Sequence, residues 1–265
     1  MLRNLYFVIA IIAMSGCDAL FSASISDICD EYPQMCQDLN SDAWCRAEKS
    51  NIIKNRYNNL QAPSDDTRYQ LLLNFEDYKD CISKASQIEH IKLREKTSDR
   101  IAGLITAERE LQRLARDTEE SEDPRLLYYH WSRFASQPHL EKFLAYQEAG
   151  QLETPELQLA LASYYLKIDS ELTKRILFHA LELVEEGAAV HPDILNGLTN
   201  IFVNDGQYED AYIWGYVALE FDVKNLDLPE LEAMLLRNGS SSKTLKKQAE
   251  YYYEAIKDGE FRSPI

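Results

Sequence analysis

Apolar positions in this chain follow two patterns. Near the N-terminus they are contiguous: Leu5 to Ala13 form one uncharged stretch, closed by Met14. Beyond about residue 41 they recur every three or four positions, as on one face of a helix. Ser41 to Leu60 reads as a helix, and Gln61-Ala62-Pro63-Ser64 as a turn that ends in a helix start. A second helix is expected from about Asp65, with Leu71, Phe75, Tyr78, Ile82, Ala85 and Ile88 along one stripe. Charged residues crowd the chain between Glu89 and Arg100 and read as a solvated helix face. Apolar spacing resumes at Ile101, Leu104, Ile105, Leu111 and Leu114. The pattern allows one helix of about 50 residues, near 75 Å at ~1.5 Å per residue. It equally allows a break near Thr97-Ser98-Asp99, where Ser98 or Asp99 would cap a new helix. The acidic residues 117–123 read as a loop.

From Pro124 onward the chain reads as helix after helix. They are placed near 124–135, 138–149, 155–167, 170–186, 192–204, 207–222, 229–237 and 241–258. The breaks fall at Pro138, Gly150 with Pro155, Asp169-Ser170, His191-Pro192, Asp205-Gly206, Pro229 and Gly239, residues that stop or start helices. No segment alternates as a half-buried strand does. The expected fold class is all-α: a disulfide-clamped N-terminal helical hairpin and long-helix region over 29–122, then a region of helix pairs over 123–265.

The apolar N-terminal stretch is too short to span a bilayer, which takes ~20 residues. Behind Arg3 it has the layout of a secretory signal. It ends in Met14-Ser15-Gly16-Cys17, which resembles a bacterial lipobox: an apolar residue, two small ones and the cysteine that accepts lipid. The resemblance implies a signal peptide over 1–16 and a mature chain starting at Cys17. That cysteine would carry thioether-linked diacylglycerol and an amide-linked acyl chain such as palmitate, and no other cofactor is expected. Each buried methylene contributes about 0.8 kcal/mol, so two or three chains anchor the protein durably in a bilayer. Asp18 favours the inner over the outer membrane, facing the periplasm. Residues 17–28 read as a short lipidated tether.

Cleavage after residue 16 of 265 leaves 249 residues, enough for one large or two modest domains. Hydrophobic content of 45%, with 9 Gly and 8 Pro, fits a folded helical chain. The net charge of −16 excludes nucleic acid as a natural partner, because phosphates would be repelled. Cys29, Cys36, Cys45 and Cys81 remain besides the anchor, and an even count in an oxidising compartment reads as two disulfides with three possible connectivities. Cys45 lies 18 residues before Pro63 and Cys81 18 after, so an antiparallel hairpin brings them to one height. Cys29 and Cys36 then pair locally. Helices pack ~8–10 Å apart while a disulfide needs Cα atoms within ~7 Å, so this pairing requires the helices to pinch. Metal binding is the competing reading, but no Cys-x-x-Cys or His pair lies near.

Gly206-Gln207-Tyr208-Glu209-Asp210-Ala211, followed by Ala218-Leu219-Glu220-Phe221-Asp222, resembles the turn and second helix of a tetratricopeptide repeat. Leu195, Leu198, Thr199 and Phe202 take the family's first-helix positions. Gly215 departs from the pattern, standing where a bulky aromatic is usual, and so does Val223, where proline is usual. Leu157, Ala160, Leu161, Tyr164, Leu177 and Ala180 match more loosely at a period of about 38 instead of ~34, and a third pair runs through Leu228–Leu236 and Gln248–Ile256. The resemblance to tetratricopeptide or Sel1-like units implies an α-α superhelix over roughly 138–258; the alternative is a non-repeating helical domain with one chance match. As a whole the chain resembles a family of small Gram-negative lipoproteins of unknown function. Cys29, Cys36, Trp44-Cys45-Arg46, Cys81 and Leu126-Leu127-Tyr128-Tyr129-x-Trp131 carry that resemblance, which implies an envelope location and no assigned activity.

None of the five histidines forms a helical metal pair, and there is neither a nucleophile elbow nor a phosphate loop. With 44 acidic residues, chance neighbours are certain and nominate no acid–base pair. The expectation is a non-enzymatic protein without a metal. The sixteen tyrosines cluster, and neighbours on a helix point ~100° apart. Tyr128, Tyr129, Trp131, Tyr164, Tyr165, Tyr208, Tyr212 and Trp214 are therefore candidates for a binding surface, or else packing residues at helix crossings. The leading expectation is a membrane-anchored interaction module for a periplasmic or envelope protein, with basic or extended segments fitting best. The alternative is a glycan- or small-ligand-binding lipoprotein with an aromatic-lined groove; a glycan-degrading enzyme is a third.

Overall fold

The computed structural model describes residues 23–88, 94–224 and 226–264. The expected signal peptide (1–16), Cys17 and Asp18 lie outside them. The described residues form twelve α-helices and contain no strand, so the fold class is all-α. They make two compact units, and the chain passes from the first to the second between Glu120 and Ser121.

The first unit comprises α1 (Ile25–Glu31), a 3-10 turn (Pro33–Met35), α2 (Arg46–Gln61), α3 (Asp65–Ser86) and α4 (Arg94–Asp117). Helix α1 begins inside the stretch expected to be a tether. The Ser24 hydroxyl accepts a hydrogen bond from the Asp27 N–H while the Asp27 carboxylate accepts one from the Ser24 N–H, and this capping box starts the helix. Cys29 on α1 is bonded to Cys36. The turn before α3 is capped as its sequence suggests, by Ser64 with Thr67.

Helix α2 begins at Arg46, later than the Ser41 that spacing suggested. The Asn40 amide donates to Asp42 Oδ1 (2.7 Å) and to the Trp44 carbonyl (3.1 Å). Lys49 Nζ donates to the carbonyls of Asn40 and Asp42. These bonds hold 40–44 as a loop, since short polar side chains compete with helical backbone pairing. Cys45 caps α2 with left-handed backbone, φ 55°. The pinch that two packed helices would need is thereby avoided: Cys45 sits in the approach to α2 and its Cα lies 5.8 Å from that of Cys81.

Helices α3 and α4 pack on each other, so the stripe from 65 to 115 is not one continuous helix. Their pairing is antiparallel: Lys79 faces Glu108 (3.6 Å), Tyr78 lies over Gly103, and Arg100 reaches the Ala85 carbonyl (3.0 Å). Helix α3 ends at Ser86 and α4 begins at Arg94, so Thr97, Ser98 and Asp99 lie inside α4. Burial of apolar faces decides this, because a lone helix of that length would leave its stripe in water. The charged run is only partly a solvated face. Arg100 is 2% exposed and grips Asp42 through Nε (2.8 Å) and Nη2 (2.7 Å).

Tyr78 completes this lock. Its hydroxyl accepts from the Asn40 N–H (3.1 Å) and donates to Asn40 Oδ1 (2.9 Å), and burial pushes its pKa up to about 12. A Cβ on Gly103 would collide with that hydroxyl, which is why glycine stands there. Tyr78→Phe is expected to destabilise the unit by about 2 kcal/mol, because it strands two polar atoms of buried Asn40. Urea denaturation followed by circular dichroism checks this; a change below about 0.5 kcal/mol would show that water replaces the hydroxyl.

The second unit runs α5 (Pro124–Phe134), α6 (Gln137–Glu148), α7 (Pro155–Tyr165), α8 (Ser170–Glu182), α9 (Pro192–Asn204), α10 (Tyr208–Glu220), α11 (Leu228–Arg237) and α12 (Ser242–Lys257). Proline opens α5 to α7, α9 and α11 within the first two positions, where its missing N–H is harmless. Helix α5 packs on α6, α7 on α8 and α9 on α10; α8 also meets α9, and α10 meets α11 and α12. Successive helix pairs thus share one core, in which Phe178, Leu181, Leu195, Leu198, Trp214 and Val217 are buried. Lys174 on α8 is buried beneath the turn before α10, where its ammonium meets Glu171, Asp205 (3.1 Å) and Gln207 (3.0 Å).

The structure also explains why Gly215 replaces a bulky residue. A Cβ there would collide with Leu231 of α11, so glycine lets α11 dock directly on α10. At the C-terminus, the Gly187 N–H donates to the Lys257 carbonyl (3.0 Å) and the Ser263 N–H to Glu182 (2.8 Å). These bonds and buried Phe261 fold the tail onto the end of α8.

Candidate functional site

The eight aromatic candidates divide into two groups with different fates. Tyr129, Tyr212 and Trp214 are core residues, each under 5% exposed, and offer no binding surface. The Trp214 ring packs on Phe178 (5.0 Å), Tyr252 (5.3 Å) and Phe261 (5.9 Å). On α10, five consecutive positions, Ala211 to Gly215, are buried because α9, α11 and α12 surround the middle of the helix; only its ends, at Glu209, Leu219 and Glu220, face water. Tyr208 is half-buried at the start of α10, in no ring pair with the other candidates.

Tyr128, Trp131, Tyr164 and Tyr165 come together instead. Trp131 lies 5.7 Å from Tyr128 and 5.5 Å from Tyr164, which meets Tyr165 edge-on at 4.8 Å. All four are half-buried. The Tyr128 hydroxyl bonds Ser163 (2.7 Å), and that of Tyr165 donates to Gln147 (3.2 Å). They form a ledge across α5 and α7.

A recess of about 530 Å³ lies between α9 and α11. Asp193, Asn196, Asn200 and Val203 recur along α9 at helical spacing and form one wall; Glu230, Leu231 and Met234 of α11 form the other. Asp227 and Lys224 lie at its end. Lys224 is paired with Asp222, and Glu230 with Arg237 (2.9 Å). Among the described residues, the one ion-pair neighbour of Asp193 is His191, 3.9 Å away. The lining is acidic and amide-rich over an apolar floor, with no tyrosine. Sequence reading passed over these residues, though the stripe Asp193-Asn196-Asn200 stands beside the apolar stripe of the same helix and signals a polar groove.

Among the described residues, the one grouping with metal-ligand spacing is Cys45, Glu48 and Cys81. Its sulfurs are joined in a disulfide, so there is no thiolate to bind a cation. His179 sits between two carboxylates, Glu153 (2.7 Å) and Glu182 (3.2 Å). Burial alone would lower its pKa, but the hydrogen bonds to both carboxylates outweigh that and raise it above the ordinary value. Both ring nitrogens act as donors in the charged form.

No characterised protein and no solved structure matches the chain significantly. A family model described as "Protein of unknown function (DUF2989)" matches residues 14–216, well over half of the chain and including both disulfides and the aromatic ledge. The chain belongs to that family.

Proposed function

We propose that this protein is a lipid-anchored module of the bacterial envelope, acylated at Cys17 and facing the periplasm, that holds an extended basic segment of a partner protein between α9 and α11. The observation that carries this reading is the α9–α11 recess, which sets Asp193, Asp227 and Glu230 around an apolar floor. An extended chain buries apolar side chains on Leu231 and Met234, while Asn196 and Asn200 meet its backbone N–H and C=O groups. Lysine or arginine side chains answer the acidic rim, and the net charge of −16 steers such a segment towards it. The lipobox-like residues supply the anchor, and Asp18 favours retention in the inner membrane. The role proposed is to bind, not to catalyse.

A photo-crosslinking residue placed at exposed Asn200 in living cells is expected to capture a discrete partner. Asp193→Lys with Glu230→Lys should reduce that adduct at least about tenfold, since like charges facing each other cost about 1 kcal/mol or more apiece. Failure to capture anything above a probe at Lys167, in the turn between α7 and α8, would overturn the docking reading. Cys17→Ala separately tests the anchor, by loss of palmitate labelling and release from membranes.

A further inference from the structure

A second hollow of about 240 Å³ shares no lining residue with the α9–α11 recess and lies along α7 and α8. Gln158 and Leu161 of α7 and Arg175, Ile176 and His179 of α8 line it, with Gln147 from the end of α6. Gln158, Leu161 and Tyr165 are spaced three and four residues apart, so they share one face of α7 and Tyr165 continues the wall. Its hydroxyl bonds Gln147, a residue of the hollow itself. Tyr164, in ring contact with Tyr165 (4.8 Å) and Trp131 (5.5 Å), links the ledge to this wall.

The polar groups are placed in a consistent way. Gln158 donates to the Leu152 carbonyl (2.9 Å), which fixes its amide, and its own oxygen accepts no hydrogen bond among the described residues. Gln147 accepts from Tyr165, which leaves its NH2 group to donate. The carboxylates of Glu153 and Glu182 are both taken by His179. Arg175 is exposed, and no ion pair or hydrogen bond engages its guanidinium among the described residues. A chain of net charge −16 with 44 acidic residues thus leaves an arginine unpaired beside amides and aromatic rings. Aromatic faces cover the apolar face of a sugar, amides meet its hydroxyls, and a guanidinium takes a carboxylate through two parallel bonds. The volume suits one ring, since drug-sized ligands fill roughly 300 Å³ or more.

We infer that the α7–α8 hollow is a saccharide subsite for a sugar ring bearing a carboxylate, with the carboxylate on Arg175 and adjoining rings on Tyr164 and Trp131. This surface is separate from the α9–α11 recess, and either reading stands without the other. Calorimetric titration of the full chain in detergent with trigalacturonate, maltotriose and acetate tests it. Trigalacturonate is expected to bind at least about tenfold more tightly than maltotriose, a difference of ~1.4 kcal/mol. Arg175→Gln should erase that preference and Arg175→Lys should keep part of it, because lysine retains the charge without the planar fork. Tyr164→Leu should weaken both sugars several-fold without changing the preference. Equal binding of the two trisaccharides, a preference that survives Arg175→Gln, acetate binding as tightly as trigalacturonate, or no heat from any ligand would each overturn the assignment. Arg175 is exposed, so its variants report on binding without endangering the fold.

Discussion

Replacing Cys45 and Cys81 together by serine is expected to lower the stability of the N-terminal unit by about 4 kcal/mol. The bond closes a loop with a sequence separation of 36, and it stabilises by denying the unfolded chain the conformations in which those residues are far apart. Small domains retain only roughly 5–15 kcal/mol in total, so this single link decides whether the unit survives mild denaturation. It also holds the loop that carries Asn40 and Asp42 against α3 and α4. Its loss therefore weakens the grip of Arg100 on Asp42 and of Tyr78 on Asn40. Removing the Cys29–Cys36 bond should have a smaller effect, about 2.5 kcal/mol, because its loop is much shorter. Urea titration of the two double variants in parallel checks the order. For the Cys45–Cys81 variant the midpoint should fall by roughly 2 M, at the ~1–3 kcal/mol/M typical of small proteins. A shift no larger than that of the Cys29–Cys36 variant would contradict the loop-length account.

Trp214→Ala is expected to destabilise the C-terminal unit by about 4 kcal/mol, the upper range for removing a large aromatic from a core. The ring is 1% exposed and touches Phe178 of α8, Tyr252 of α12 and Phe261 of the tail. No collapse of one helix can fill the space, because three separate segments line it. The melting temperature should drop by roughly 10 °C, given ~2–4 °C per kcal/mol in a unit of this size. Amide exchange should quicken first at residues 258–263, whose few hydrogen bonds depend on that packing. If Trp214 served a binding surface instead, its removal would leave stability nearly unchanged. Tyr164→Leu on the half-buried ledge should show that milder behaviour.

Most helices of the second unit were legible in the sequence because their signals are local. Proline at the first turn, Asp123, Thr154 and Asp169 as N-caps, and glycine with left-handed backbone at 150, 206 and 239 act within a few residues of themselves. The start of α2 was misread for the opposite reason. Residues 41–44 have helical spacing, but besides the local bonds from Asn40 and Lys49 they are held by Asp99 and Arg100, each 58 residues from its partner, which spacing cannot reveal. The reversal between α3 and α4 was left open because charge along a chain does not reveal which face will find a partner. The aromatic candidates failed where the middle of a helix is surrounded by neighbours, as at Tyr212 and Trp214. They held together where one side of the helix stays open, as at Tyr164 and Tyr165.

By itself, then, the sequence determined the all-helical class, the division into a cysteine-bearing part and a run of helix pairs, and the Cys45–Cys81 and Cys29–Cys36 pairing. Each depends on spacing along the chain, which fixes the face a residue occupies and how far along a hairpin it sits. Tertiary structure alone decided that the long apolar stripe folds back on itself, that Trp214 is core, and that Gly215 yields its space to Leu231. It alone left Arg175 without a partner beside an aromatic ledge. These outcomes turn on which faces meet, and packing between distant segments selects among arrangements that local spacing leaves equal.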